Sequence, residues 1–169
     1  MDNSLFTYME QLEMMAFFSG YPLVYAIAVF VAGSKQVKIN SGKRLISILP
    51  FAYAFVGTLY LALQLKNLYP FHSFENSWLN IQNPLLVTWA LLSLLFWLPA
   101  LAKTPSWSLI HSLVFFFFLL KDLAIVLFST GNKSMLKNDM KIYTDSLLLN
   151  GCCVLAVLAF SYLFAYRRG

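Results

Sequence analysis

The chain has 169 residues, of which 60% are hydrophobic and 11% carry a charge, and its formal net charge is +5. A soluble domain carries about 25% charged residues, so this composition excludes a water-soluble fold and predicts an all-α polytopic membrane protein. No polar stretch is long enough for a second unit, and we expect residues 1–169 to form a single integral membrane domain. Nothing resembles a nucleic-acid motif, and the basic residues cluster at the ends of apolar stretches, where they set membrane orientation.

Five apolar stretches are long enough, or nearly so, to cross a bilayer as helices, which takes about 20 residues each. They are residues 14–34, 45–65, 85–102, 107–129 and 146–166. The sequence therefore predicts a bundle of about five transmembrane helices.

The first stretch is interrupted by Gly20 and Pro22. Proline removes a backbone hydrogen bond and can kink a helix. An alternative is therefore that the spanning helix begins near Pro22 and that residues 4–19 form a separate helix in the membrane interface.

The third and fourth stretches each begin with a capping residue followed by proline, a typical helix start. The pairs are Asn83-Pro84 and Thr104-Pro105. The short link between these two stretches predicts a tight helical hairpin.

The basic residues predict the orientation of the five spans. One side would hold seven of them and no acidic residue: Lys35, Lys38, Lys43, Arg44, Lys103, Arg167 and Arg168. The other side would hold four: Lys66, Lys133, Lys137 and Lys141. Since cytoplasmic loops are enriched in Lys and Arg, we expect the N-terminus outside and the C-terminus in the cytoplasm.

Two ionisable residues, Lys121 and Asp122, lie inside the fourth stretch. A charge at membrane depth costs about 2.5–3.5 kcal/mol on insertion scales, so these are the leading candidate site residues. Their side chains diverge by about 100° around the helix, which predicts that Asp122 faces the bundle while Lys121 snorkels or contacts another helix. Asn150 and Gln64 are expected in the same outer half of the membrane, and we group them with Asp122 as ligand or interface candidates.

His111 lies on the same helical face as Asp122 but near the inner end of the span. The other histidine, His72, falls in an outer loop, so the two cannot share a metal. The adjacent Cys152 and Cys153 are expected to be small packing residues. No metal site, cofactor or catalytic set is predicted, and we expect no enzymatic activity.

Two functions remain. The first is a non-catalytic membrane subunit, scaffold or accessory protein of a larger complex, in which the two charges contact other membrane subunits. The alternative is a small transporter or channel with an outward-facing polar cavity around Asp122. Either protein would lie within the lipid bilayer, and we expect a multi-pass protein of the bacterial cytoplasmic (inner) membrane.

Overall fold

The computed structural model describes residues 3–34, 39–68, 84–128 and 133–166, and these ranges are almost wholly helical, without a strand. Residues outside them include the predicted polar loops. The helices, in chain order, are α1 (Asn3–Phe18), α2 (Tyr21–Gly33), α3 (Ile39–Leu68), α4 (Pro84–Leu91), a 3-10 helix (Leu92–Trp97), α5 (Pro99–Ala102), α6 (Pro105–Phe128) and α7 (Lys133–Tyr166).

Four helical stretches are long and apolar enough to cross a membrane, by length and composition. They are Gln11–Gly33, Ser41–Lys66, Pro105–Ile125 and Met140–Leu163. Each overlaps a predicted span. The all-α class is therefore confirmed, and the four stretches are compatible with a membrane protein.

The predicted span 85–102 is not among these four stretches, and its helix is broken. Its apolar part, Pro84–Trp97, is shorter than the others and changes from α to 3-10 geometry at Leu92. Leu98 then adopts an extended conformation, with ψ of 125°. The physical reason is Pro99, because a residue that precedes proline is disfavoured in the α conformation.

The first apolar stretch is also broken, at Ser19 and Gly20, between α1 and α2. Pro22 lies in the first turn of α2 and has no N–H to continue the α1 ladder. The break coincides with the predicted interruption. The last turn of α1 is nevertheless buried, at Met14, Met15 and Phe18, so this part of α1 lies in the bundle rather than along its surface.

Aromatic rings fill the core where α1, α3 and α6 meet. Phe18 stacks on Phe115 with ring centroids 4.8 Å apart, and it meets the edges of Tyr53 and Tyr60. Offset and edge-to-face contacts of this kind add about 0.5–1.5 kcal/mol each beyond burial of the rings. This cluster holds α1, α3 and α6 together.

Small residues allow two close helix approaches. A Cβ atom at Gly57 of α3 would overlap the Ser93 hydroxyl on the 3-10 helix. A Cβ atom at Gly42 would lie 2.8 Å from the carbonyl oxygen of Ala32, where α2 and α3 meet. A larger residue at Gly42 would press on backbone, whereas at Gly57 it would require the Ser93 side chain to move.

Candidate functional site

His111 lies in the middle of the bundle and uses both ring nitrogens. Its Nδ1 lies 2.7 Å from Tyr53 Oη on α3, and its Nε2 lies 2.9 Å from the Trp89 carbonyl oxygen on α4. Because a carbonyl oxygen only accepts, Nε2 carries the hydrogen, and in the neutral ring the Tyr53 hydroxyl donates to Nδ1. His111 therefore joins α3, α4 and α6, and neither nitrogen is left for a metal.

A second polar pair lies beside the first. Ser108 Oγ donates to the Pro105 carbonyl oxygen at 2.7 Å, so Tyr21 Oη donates to Ser108 Oγ at 2.8 Å. The Tyr21 and Tyr53 rings are 4.4 Å apart between centroids. The two tyrosines thus connect α2 and α3 to the same face of α6, one turn apart.

Asn150 on α7 forms a hydrogen bond with the backbone next to the break between α1 and α2. Its side chain is 1% exposed, and its Nδ2 donates to the carbonyl oxygens of Phe17 and Ser146, each at 2.8 Å. The Gly20 amide donates to Ser146 Oγ at 2.9 Å. Asn150 Oδ1 has no hydrogen-bond partner in the part of the chain that the structure describes. Asn150 and Ser146 therefore satisfy backbone groups that the interrupted helix leaves without intrahelical partners.

Gln64 near the end of α3 lies beside the Glu13 side chain on α1. Both side chains are half-buried. The sequence placed Gln64 among the candidate residues, and Glu13 was not one of them. The missing signal was which face of α1 meets α3, and periodicity within α1 does not provide it.

Lys121 is exposed on α6, and it has no hydrogen bond or ion pair with any side chain described in the structure. The helical face that carries Lys121 is otherwise apolar and exposed at Phe117, Ile125 and Phe128. Lys121 therefore points away from the bundle core.

Asp122 lies in α6 one turn beyond Phe118, but its side chain lies outside the described residues. On the same face, Phe115 and Phe118 line a space of about 10 Å³ together with Met14 and Leu86. A space of this size holds about one water molecule. The polar cavity around Asp122 stays a prediction.

The described candidate residues do not form one cluster. His111, Asn150 and Gln64 belong to three separate polar groups, each of which joins α6, α7 or α3 to a neighbouring helix. Lys121 is on the outside. The arrangement connects helices, and within the described ranges no group of three or more His, Cys, Asp or Glu side chains is placed to hold a metal.

Comparison of the chain with protein-family models, with curated proteins and with solved structures finds no match. The class of protein therefore follows from the fold: an all-helical chain with four helices of membrane-spanning length and composition.

Proposed function

We propose that the chain is an integral membrane protein with five crossings, the third made by α4, the 3-10 helix and α5. These elements have eight, six and four residues. With rises of about 1.5 Å per α residue and 2 Å per 3-10 residue, and with Leu98 extended, their summed length along the chain is about 33 Å. The hydrocarbon core is about 30 Å thick. The 3-10 geometry thus lengthens a stretch that would be short as a pure α-helix.

The contacts of this third segment support a full crossing. Ser93 lies against Gly57, and Trp97 contacts both Thr58 and Phe51. Further along the chain, Pro99 and Ala102 line a groove with Ser47, so the segment runs antiparallel to α3. Lys103, after α5, lines the same groove as Arg44 near the start of α3. The segment therefore returns the chain to the end of the bundle at which α3 begins.

The basic residues support one orientation of this arrangement. Lys43, Arg44 and Lys103 lie at one end of the bundle, and the positive-inside rule favours the cytoplasmic side for them. Five crossings then leave the N-terminus outside and the C-terminus inside. We propose a bacterial cytoplasmic membrane as the location.

Within that membrane we propose a non-catalytic role, as a subunit, scaffold or accessory protein of a larger complex. The observation that carries this proposal is Lys121, a cation on an exposed apolar helix face without a described partner. Lysine at a lipid-facing position costs free energy unless it snorkels or pairs. An acidic or polar side chain from a neighbouring membrane subunit would satisfy it.

The exposure of the helices supports the same role. In the apolar segments of α6 and α7, only 29% and 22% of the residues are buried within this chain, against 50% in α3. α6 and α7 therefore each expose an apolar surface. Either lipid or another protein could cover an apolar surface. Lys121 is therefore the feature that favours a protein neighbour beside α6.

Extraction of the tagged chain from its native membrane in mild detergent, followed by sizing and mass spectrometry, tests this function. We expect a stoichiometric partner that is lost in Lys121→Leu and retained in Lys121→Arg. Lys141→Leu is the matched control, because Lys141 is also exposed but lies at the end of a spanning stretch. A monodisperse wild-type chain without partners would contradict the proposal.

One observation favours the alternative, a small transporter. Two interrupted helices meet at Tyr53: Tyr21 follows the first break, and Phe96 lies in the 3-10 helix of the second, and both rings contact Tyr53. Discontinuous helices often form substrate sites in transporters. If transport is the function, Asp122→Asn abolishes flux in vesicles without loss of folded protein, whereas unchanged flux excludes a site at Asp122.

A further inference from the structure

A groove of about 620 Å³ opens at the basic end of the bundle, between α3, α5 and α7. Its walls include the rings of Phe51, Trp97 and Phe160, and its polar lining comes from Arg44, Lys103 and two serines. None of the described residues that line it is acidic. The groove therefore combines an apolar wall with net positive charge.

Arg44 is held in a fixed position at this groove. Its Nη2 donates to the carbonyl oxygen and to Oγ of Ser161, each at 2.8 Å, and its guanidinium carbon lies 4.4 Å from the centre of the Tyr162 ring. No carboxylate pairs with it in the ranges that the structure describes, and Nη1 makes no hydrogen bond there. The cation is thus preorganised by α7, and its charge has no counter-ion among the described side chains.

Lys103 supplies the second cation. It is exposed in the turn between α5 and α6, and the break at Leu98 and Pro99 brings this turn to the groove. Arginine and lysine beside serine hydroxyls form a typical phosphate-binding set, in which arginine gives directional hydrogen bonds and lysine a mobile point charge. Two separate cations at one groove favour an anion with several acceptor oxygens.

We propose that this groove binds an anionic phospholipid, with its phosphate between Arg44 and Lys103 and an acyl chain against Phe51, Trp97 and Phe160. A free phosphate would use the cations but not the aromatic wall, which is why we assign a lipid rather than a soluble anion. Basic pockets between helices on the cytoplasmic side are known to hold anionic headgroups. The proposal goes beyond the subunit role and requires only that the chain lies in a bilayer.

The test uses the full chain, purified in mild detergent, and measures its thermal unfolding midpoint with three additives. These are phosphatidylglycerol, phosphatidylcholine and inorganic phosphate. We expect phosphatidylglycerol to raise the midpoint, and phosphatidylcholine and inorganic phosphate to leave it near its starting value. The proposal is overturned if phosphatidylcholine or inorganic phosphate gives the same rise, because the headgroup charge or the lipid chain would then be irrelevant.

Two variants assign the effect to the groove. In Lys103→Glu the rise with phosphatidylglycerol should fall by at least half, and in Lys43→Glu it should remain. The two variants change the net charge equally, because each replaces a lysine by a glutamate. Lys43 is exposed and adjacent to Arg44 in sequence, but it does not line the groove. Equal responses of both variants would overturn the proposal.

A binding measurement covers the case in which Lys103→Glu is poorly folded. Native mass spectrometry of wild type and Lys103→Gln counts the phosphatidylglycerol molecules that remain bound after detergent removal. One fewer bound lipid in Lys103→Gln supports the groove, and equal counts contradict it. Neither result depends on a protein partner, so failure here leaves the subunit proposal unaffected.

Discussion

His111 and Trp89 bind each other twice, each through its side chain to the backbone of the other. His111 Nε2 lies 2.9 Å from the Trp89 carbonyl oxygen, and Trp89 Nε1 donates to the His111 carbonyl oxygen at 3.3 Å. The two rings stack at 4.8 Å with only 5° between their planes. α4 has eight residues, too few for an independently stable helix, and this reciprocal contact fixes it to α6.

Removal of the imidazole should destabilise the bundle more than removal of the indole N–H. His111→Phe leaves the Tyr53 hydroxyl and the Trp89 carbonyl without partners, at about 1–3 kcal/mol for each buried group. Trp89→Phe keeps an aromatic ring on His111 and loses one long hydrogen bond, at about 1 kcal/mol. Thermal unfolding in detergent measures both. Equal midpoints for the two variants would show that the Tyr53–His111 hydrogen bond adds nothing to stability.

The contact of Gly20 with α7 predicts that alanine at this position destabilises the fold. A Cβ atom at Gly20 would lie 2.6 Å from the Leu147 amide nitrogen and 2.7 Å from the Ser146 carbonyl carbon. Because both atoms are backbone, Gly20→Ala must push α7 away and weaken the hydrogen bond to Ser146. We expect a loss of about 1–3 kcal/mol, typical of overpacking.

Gly151→Ala is the matched control for that variant. Nothing lies within 4 Å of a Cβ atom at Gly151, and the residue lies within α7. Alanine favours a helix over glycine by about 1 kcal/mol, so the unfolding midpoint should rise or stay unchanged. A fall in the Gly151→Ala midpoint as large as that of Gly20→Ala would contradict the packing described here.

The sequence predicts the helices of this fold better than their contacts. Hydrophobic length locates the four long stretches, and Gly20 and Pro22 locate the break between α1 and α2. The break at Leu98 was not predicted, because a proline alone does not identify one: Pro50 lies within the continuous helix α3. Pairings such as Gln64 with Glu13, or Asn150 with the Phe17 carbonyl, depend on which helix faces meet. Packing between helices determines which faces meet, and the sequence pattern of a single helix does not predict it. His111 shows the same limit, since its partners lie 22 and 58 positions away along the chain.

Five crossings place Lys103 on the same side of the membrane as Lys43 and opposite Lys66. If Pro84–Ala102 does not cross, Lys103 instead shares a side with Lys66. Single cysteines at positions 43, 66 and 103, in a chain whose Cys152 and Cys153 are replaced by alanine, distinguish these cases. We expect a membrane-impermeant maleimide to label position 66 in intact cells and positions 43 and 103 only after permeabilisation. Labelling of position 103 in intact cells, alongside position 66, would exclude the third crossing.

The central claim is that the α6 face around Lys121 binds another membrane protein, and photocrosslinking in the intact native membrane tests it most directly. A photoreactive phenylalanine replaces Phe117, which is 68% exposed and one turn from Lys121 on the same face. We predict a covalent adduct with a second polypeptide, absent when Phe115, 1% exposed, is replaced instead. The adduct should also disappear in Lys121→Leu and persist in Lys141→Leu. A chain that forms no protein adduct from position 117 would contradict the claim.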